Sequence, residues 1–265
     1  MAPVITTLSP TQGHGGVTMT ITGTGLGTTF KVNFGCQSLT PTSVTSVTVT
    51  CVIPQLSPGQ ANISVTTTAA QTSNSLPFFY IGPPDITAVN PAEGPAAAVP
   101  LSIYGRNLLT TTEVHFGDIG PATGLVHLSD SALTVVAPAH PAFAPGVCTD
   151  TVDVIVSTAG GISGSPGPSA NQYTYYNAPT ITGLSPSSAT PGSNVTVFGT
   201  CLLDITSVTL IREGGGITYQ ASFISISPSQ VNTVLPLTLP QGTYTVQVNT
   251  PGGQSPITPA GQFTV

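Results

Sequence analysis

Apolar and polar residues alternate along short stretches of this chain. Val17-Thr-Met-Thr-Ile-Thr-Gly23, Val99-Pro-Leu-Ser-Ile-Tyr-Gly105 and Asn194-Val-Thr-Val-Phe-Gly199 each place every second side chain on one face. So do Asn62-Ile-Ser-Val-Thr66, Val152-Asp-Val-Ile-Val156 and Tyr244-Thr-Val-Gln-Val248. A period of two is the mark of a half-buried β-strand. No segment carries apolar residues at helical spacing over three turns. Gly, Pro, Asn and Ser bound the alternating runs, which are rich in β-branched residues, so strands joined by turns are predicted. The fold class is all-β.

The strands recur in a fixed order, three times. Pro3-Val-Ile-Thr-Thr-Leu-Ser-Pro10 returns as Pro84-Asp-Ile-Thr-Ala-Val-Asn-Pro91 and Pro179-Thr-Ile-Thr-Gly-Leu-Ser-Pro186. Each copy leads through a Gly-containing turn into an alternating strand, then into Gly-x-x-Leu at Leu26, Leu108 and Leu202. Lys31-Val-Asn-Phe-Gly35 is matched by Glu113-Val-His-Phe-Gly117 and, less well, by Ser207-Val-Thr-Leu-Ile211. Strands ending in proline follow at Pro54, Pro138 and Pro236, and the closing strands carry aromatics: Phe78-Phe-Tyr80, Tyr173-Thr-Tyr175 and Phe263-Thr-Val265.

These motifs resemble the IPT/TIG family, the immunoglobulin-like domain shared by plexins, Rel-type transcription factors and many bacterial surface proteins. The resemblance covers essentially the whole chain and implies three tandem β-sandwich modules, 1–81, 82–177 and 178–265, each near the ~100 residues of an immunoglobulin-type sandwich. The third copy departs from the pattern at Leu210-Ile-Arg-Glu-Gly-Gly-Gly216, an altered hairpin. The physical reading agrees, because alternating strands must form two sheets that cover each other's apolar faces. The junctions, Tyr80-Ile-Gly-Pro-Pro84 and Tyr175-Tyr-Asn-Ala-Pro179, are short and proline-stiffened. Tandem modules entered at one end and left at the other make an elongated rod on the order of 100 Å long.

Charge narrows the partners. Charged residues are 5% of the chain, Lys plus Arg total 3, and the net charge is −6. Lys31, Arg106 and Arg212 are scattered, so no cationic surface exists for nucleic acid or for an anionic membrane. No run of 18 or more apolar residues spans a bilayer, so membrane insertion is not expected. Met-Ala-Pro-Val-Ile-Thr-Thr at the start has neither the cationic start nor the apolar core of a secretory leader. A removed leader, another export route and an intracellular location all stay open.

The four cysteines match no zinc spacing. Cys36 follows the third strand of the first module and Cys51 lies in the strand ending at Pro54, segments that can approach each other, so a Cys36–Cys51 bridge is a candidate. Cys148 precedes the sixth strand of the second module and Cys201 follows the second strand of the third. Those loops sit at facing ends of adjacent modules, and Cys148–Cys201 is the expected inter-domain staple. The alternative is four small buried hydrophobes.

Catalytic and cofactor chemistry finds little support. Glu113, His115 and Asp118 form the densest constellation, and polar side chains on the solvent face of a strand are the favoured reading over a metal. His14 and His140 lie in Gly- and Pro-rich loops and are expected to be solvated. There is no nucleophile elbow, phosphate loop or calcium loop. Gly214-Gly-Gly216 reads as a hairpin tip. Tyr173, Tyr175 and Tyr176, or Phe78, Phe79 and Tyr80, are candidate sugar platforms, with core or junction packing the favoured role. The expected protein is therefore no enzyme and has no cofactor. It is a structural or interaction rod outside the cell or on its surface, a spacer or adhesin with a protein or glycan ligand. The alternatives are a self-assembling virion or appendage component, as homo-oligomer or filament, and a carbohydrate-binding accessory array.

Overall fold

The computed structural model describes residues 2–164, 171–214 and 216–265. Three separate apolar clusters form its cores. The first gathers Met19, Ile21, Val32, Phe34, Val49, Cys51, Ile63, Val65 and Phe78. The second is centred on Ile103, Phe116, Leu133, Val154, Val156 and Tyr173, and the third on Val195, Val197, Val208, Leu210, Val231, Tyr244 and Val248. Each cluster is built from the inward residues of alternating strands; in Thr18–Thr24, for instance, Met19, Ile21 and Gly23 are the buried positions.

In the first module one sheet orders Val4–Ser9, Thr18–Thr24, Thr48–Val52 and Ser43–Val44. The facing sheet orders Gln12–Gly13, Leu76–Tyr80, Gly59–Thr67, Thr29–Phe34 and Gln37–Leu39. The second module repeats this plan. Asp85–Asn90, Pro100–Arg106, Ala132–Val136 and Thr123–Ser129 make one sheet, and Glu93–Pro95, Gln172–Tyr176, Thr149–Thr158, Thr111–Phe116 and Gly120–Pro121 make the other. The entering chain pairs antiparallel in one sheet, turns at Pro10 or Pro91, and then pairs parallel with the closing strand of the other, as Gln12↔Phe79 and Glu93↔Thr174. One chain segment thus ties the two layers together.

The third module departs from the plan where its sequence does. With no Phe-Gly turn, Ser207–Arg212 runs into a wider hairpin, closed by the Arg212 amide donating to Ile217; Gly215, at the expected tip, lies outside the described residues. The returning strand, Thr218–Ser227, is ten residues long. It pairs first with Ser207–Arg212 and then, crossing over, with Gln230–Val234. The two layers of this module become one continuous eight-stranded sheet folded on itself. Leu210 fills the place of Phe34 and Phe116, and Tyr244 stacks on Phe263 at 5.7 Å to supply the aromatic bulk.

The glycine ending each second alternating strand is required by a close approach. A Cβ on Gly23, Gly105 or Gly199 would overlap the carbonyl oxygen of Val4, Asp85 or Thr180 on the neighbouring first strand. The register shifts at that point in all three modules, between Ile5 and Thr7, Ile86 and Ala88, and Ile181 and Gly183.

Candidate functional site at the module junctions

Two residues beyond that glycine the chain enters the left-handed region in every module, at Gly25 (φ 69°), Asn107 (φ 56°) and Cys201 (φ 55°). Asn tolerates this conformation best among residues with a side chain, whereas Cys is unusual there. In the second module this residue lies against the linker that enters it, and in the third it is tied across the junction to a loop of the module before. Asn107 Nδ2 donates to the carbonyl of Pro83 at 2.9 Å. Cys201 forms a disulfide with Cys148, 53 residues earlier and on the far side of the second junction. One structural position holds one joint by a hydrogen bond and the next by a covalent bond.

A second position repeats in the same way. The turn between Thr149–Thr158 and Gly161–Ile162 presents Gly160 to the first linker, and a Cβ there would overlap the carbonyl oxygen of Gly82. The turn between Thr243–Thr250 and Gly253–Gln254 presents Gly252 to the second, where a Cβ would overlap the carbonyl of Asn177. Both glycines are buried. The second and third modules thus each receive the incoming linker on a glycine turn and hold the junction at a left-handed corner.

Tyrosines complete the joints. Tyr80 Oη accepts from the Gly15 amide at 2.9 Å and donates to Gln55 Oε1 at 2.8 Å, pinning the first module's Gly15 turn to its closing strand. The Ile81 amide donates to Gly13. Tyr176 Oη donates to Asp204 Oδ2 at 2.6 Å, from the end of one module to the start of the next. That hydrogen bond, with burial second, holds the Tyr176 phenol well above the usual tyrosine range. The Asn177 amide donates to the Cys148 carbonyl at 2.8 Å, so the disulfide loop is also bound to the linker by its backbone.

Other sequence candidates scatter. Cys36 and Cys51 are both free, so the candidate bridge between them does not form. Cys51 points into the core from one sheet, while Cys36 is exposed at the turn after Phe34 in the other. Burial pushes the Cys51 thiol up to about 11. His140 is not solvated as expected. Its side chain is 7% exposed, stacked on Phe143 at 4.1 Å, with Nε2 at 2.9 Å from Asp150. His14 is half-buried beside Gly161, at the first junction. Glu113 and His115 meet at 2.8 Å on an exposed strand face. Among the described residues no group of three His, Cys, Asp or Glu is placed to hold a metal ion. Of the aromatic candidates, Phe78, Tyr173 and Tyr175 are fully buried, Tyr80 and Tyr176 nearly so, and Phe79 is half exposed. No described helix is long and apolar enough to cross a membrane. The glycine pair and the left-handed corners escaped the sequence reading. The triple alignment of Gly25, Asn107 and Cys201 was the signal that could have found the corners.

Three sandwiches joined in this manner define a tandem immunoglobulin-like β-protein. The IPT/TIG domain family matches residues 3–80, 84–175 and 179–265, and the chain belongs to that family. No curated protein matches the sequence. Among solved structures, a protein crystallised with a xylogluco-oligosaccharide is 18% identical over 99% of this chain and 60% of its own, with TM-score 0.41. The plexin A4 extracellular region is 16% identical over 92% of this chain and 22% of its own, with TM-score 0.43. A Bacteroides ovatus SGBP-B from a mixed-linkage glucan utilization locus, in complex with a mixed-linkage heptasaccharide, is 18% identical over 96% and 64%, with TM-score 0.30. The chain spans less than two thirds of each of these proteins.

Proposed function

We propose that the protein is a non-catalytic stalk outside the cell or on its surface, holding three modules (1–81, 82–177 and 178–265) in fixed succession as a spacer or adhesin. The observation that carries this reading is the repeated joint, in which the same corner fastens its module at the junction, through Asn107 to the incoming linker in one module and through Cys201 to the preceding module's Cys148 in the next. A flexible tether needs neither buried glycine turns nor a cross-link. A disulfide persists in oxidising surroundings, which supports an extracellular setting. No cleft with convergent acids and bases supports catalysis among the described residues.

Small-angle scattering of the intact chain tests the stalk. The oxidised protein should give one narrow distribution with a maximum dimension on the order of 100 Å, as three strand lengths plus loops require. A compact particle, or a broad distribution of shapes before any reductant is added, would overturn it.

A further inference from the structure

We propose that the outer sheet faces of the second and third modules bind a neutral, extended polysaccharide, one segment of chain on each. Tyr104 and Phe198 occupy the same strand position, one residue before Gly105 and Gly199. Each ring stands between small or slender neighbours. Tyr104 pairs with Ala88 on one side and Ala132 on the other; Phe198 pairs with Gly183 and Gln230. Across the middle strand, Val126 pairs with Thr134 and Ile224 with Asn232. A bulge in the same strand, just before Ser129 and Ser227, then adds Leu128 and Ile226. Even the turns that follow agree, with Ser129 to Ser131 and Ser227 to Ser229 hydroxyl pairs at 3.1 Å.

The result in each module is a shallow trough two strand spacings, roughly 10 Å, across. An aromatic ring forms one wall, two aliphatic side chains form the other, and hydroxyl, amide or methyl groups form the floor. The six wall residues are 40–63% exposed. Thr196 Oγ1 donates to Asn232 Oδ1 at 3.1 Å, which leaves the Asn232 amide NH2 as a donor.

The chemistry selects the occupant. Among the strand positions of these faces the only charges are Asp85 and Arg106, which oppose each other in register and cancel; the third module's face has none. A charged polymer gains nothing there. A sugar ring offers an apolar C–H face to an aromatic wall and a rim of hydroxyls to the polar floor, the combination of apolar surface and few placed polar groups that small-molecule sites share. Repetition of the trough in consecutive modules fits a ligand that itself repeats. A second copy of the protein fits poorly, because three half-exposed side chains per face fall far short of the about 800 Å² per partner in a stable interface. The first module lacks the trough, with Thr22 at the ring position between Thr7 and Thr48.

This inference rests on the adhesin reading of the stalk. The deciding experiment is affinity electrophoresis of the full chain through gels containing galactomannan, hydroxyethylcellulose or dextran, with polygalacturonate as the charged control. At least one neutral polymer should retard the protein and polygalacturonate should not. Tyr104→Ala and Phe198→Ala should each weaken retardation about tenfold, as loss of a central aromatic anchor does, and the double variant should abolish it. Thr22→Ala should change nothing. Both rings are exposed, so the variants should keep the wild-type melting temperature and scattering profile; the stalk can then survive a failure here. No retardation by any of the three neutral polymers, retardation indifferent to the double variant, or self-association abolished by it would each overturn the proposal.

Discussion

Cys51 and Cys36 show how far the surroundings of a side chain decide its chemistry. Cys51 sits between Val49 and Ile53 in the core, fully covered, and the thiolate is penalised by that apolar setting. Cys36 is exposed. In the native protein an alkylating reagent should label Cys36 rapidly and Cys51 only on unfolding, a difference that mass spectrometry of timed digests would measure. The raised Cys51 pKa also sets a direction with pH. A thiol that ionises at 9.0 when unfolded and at about 11 when folded contributes stability that is whole below pH 9 and lost as pH rises through 11. Denaturant midpoints should therefore fall over that window, and Cys51→Ala should flatten the fall. The same alternation that places Cys51 inward separates it from Cys36, whose exposed position after Phe34 keeps the two thiols in different surroundings.

At the scale of elements, the alternating strands and their threefold order were legible from sequence because a period of two needs only local information. The long strand Thr218–Ser227 was not. Where it leaves one layer and joins the other depends on the wide turn after Arg212, and a glycine-rich turn fixes no register. The burial of His140 was hidden for a related reason: a proline-rich loop reads as solvated, and only the fold brings Tyr175 to the ring that the loop's own Phe143 stacks on. The junction glycines were equally silent, since a close backbone approach leaves no trace in hydropathy. They carry a sharp expectation. Gly160→Val should push the first linker off its turn and Gly252→Val the second, each costing about 1–3 kcal/mol as overpacking does. Calorimetry should show the melting of the adjoining modules shifted down, while Gly164→Val, at an exposed position with open space around it, should leave it unchanged.

Across the whole molecule the joints couple modules that each own a core. The Cys148–Cys201 cross-link closes a loop of 53 residues, for which chain entropy gives a stabilisation of about 4 kcal/mol. Reduction should lower the stability of the second and third modules and leave the first unaltered, because none of its residues lies in that loop. Hydrogen exchange with and without a thiol reductant would resolve the three. Asn107→Ala should act on the first junction alone and cost about 1 kcal/mol, the usual worth of a hydrogen bond; an equal loss of protection at both junctions would refute separate joints.

The two joints also differ in what they withstand. Pulled from its ends, as a tether between surfaces is, the chain meets a bond that a modest load can rupture at Asn107 and one that no such load breaks at Cys201. The first joint would give way early and re-form on relaxation, absorbing shock while the second and third modules stay locked together.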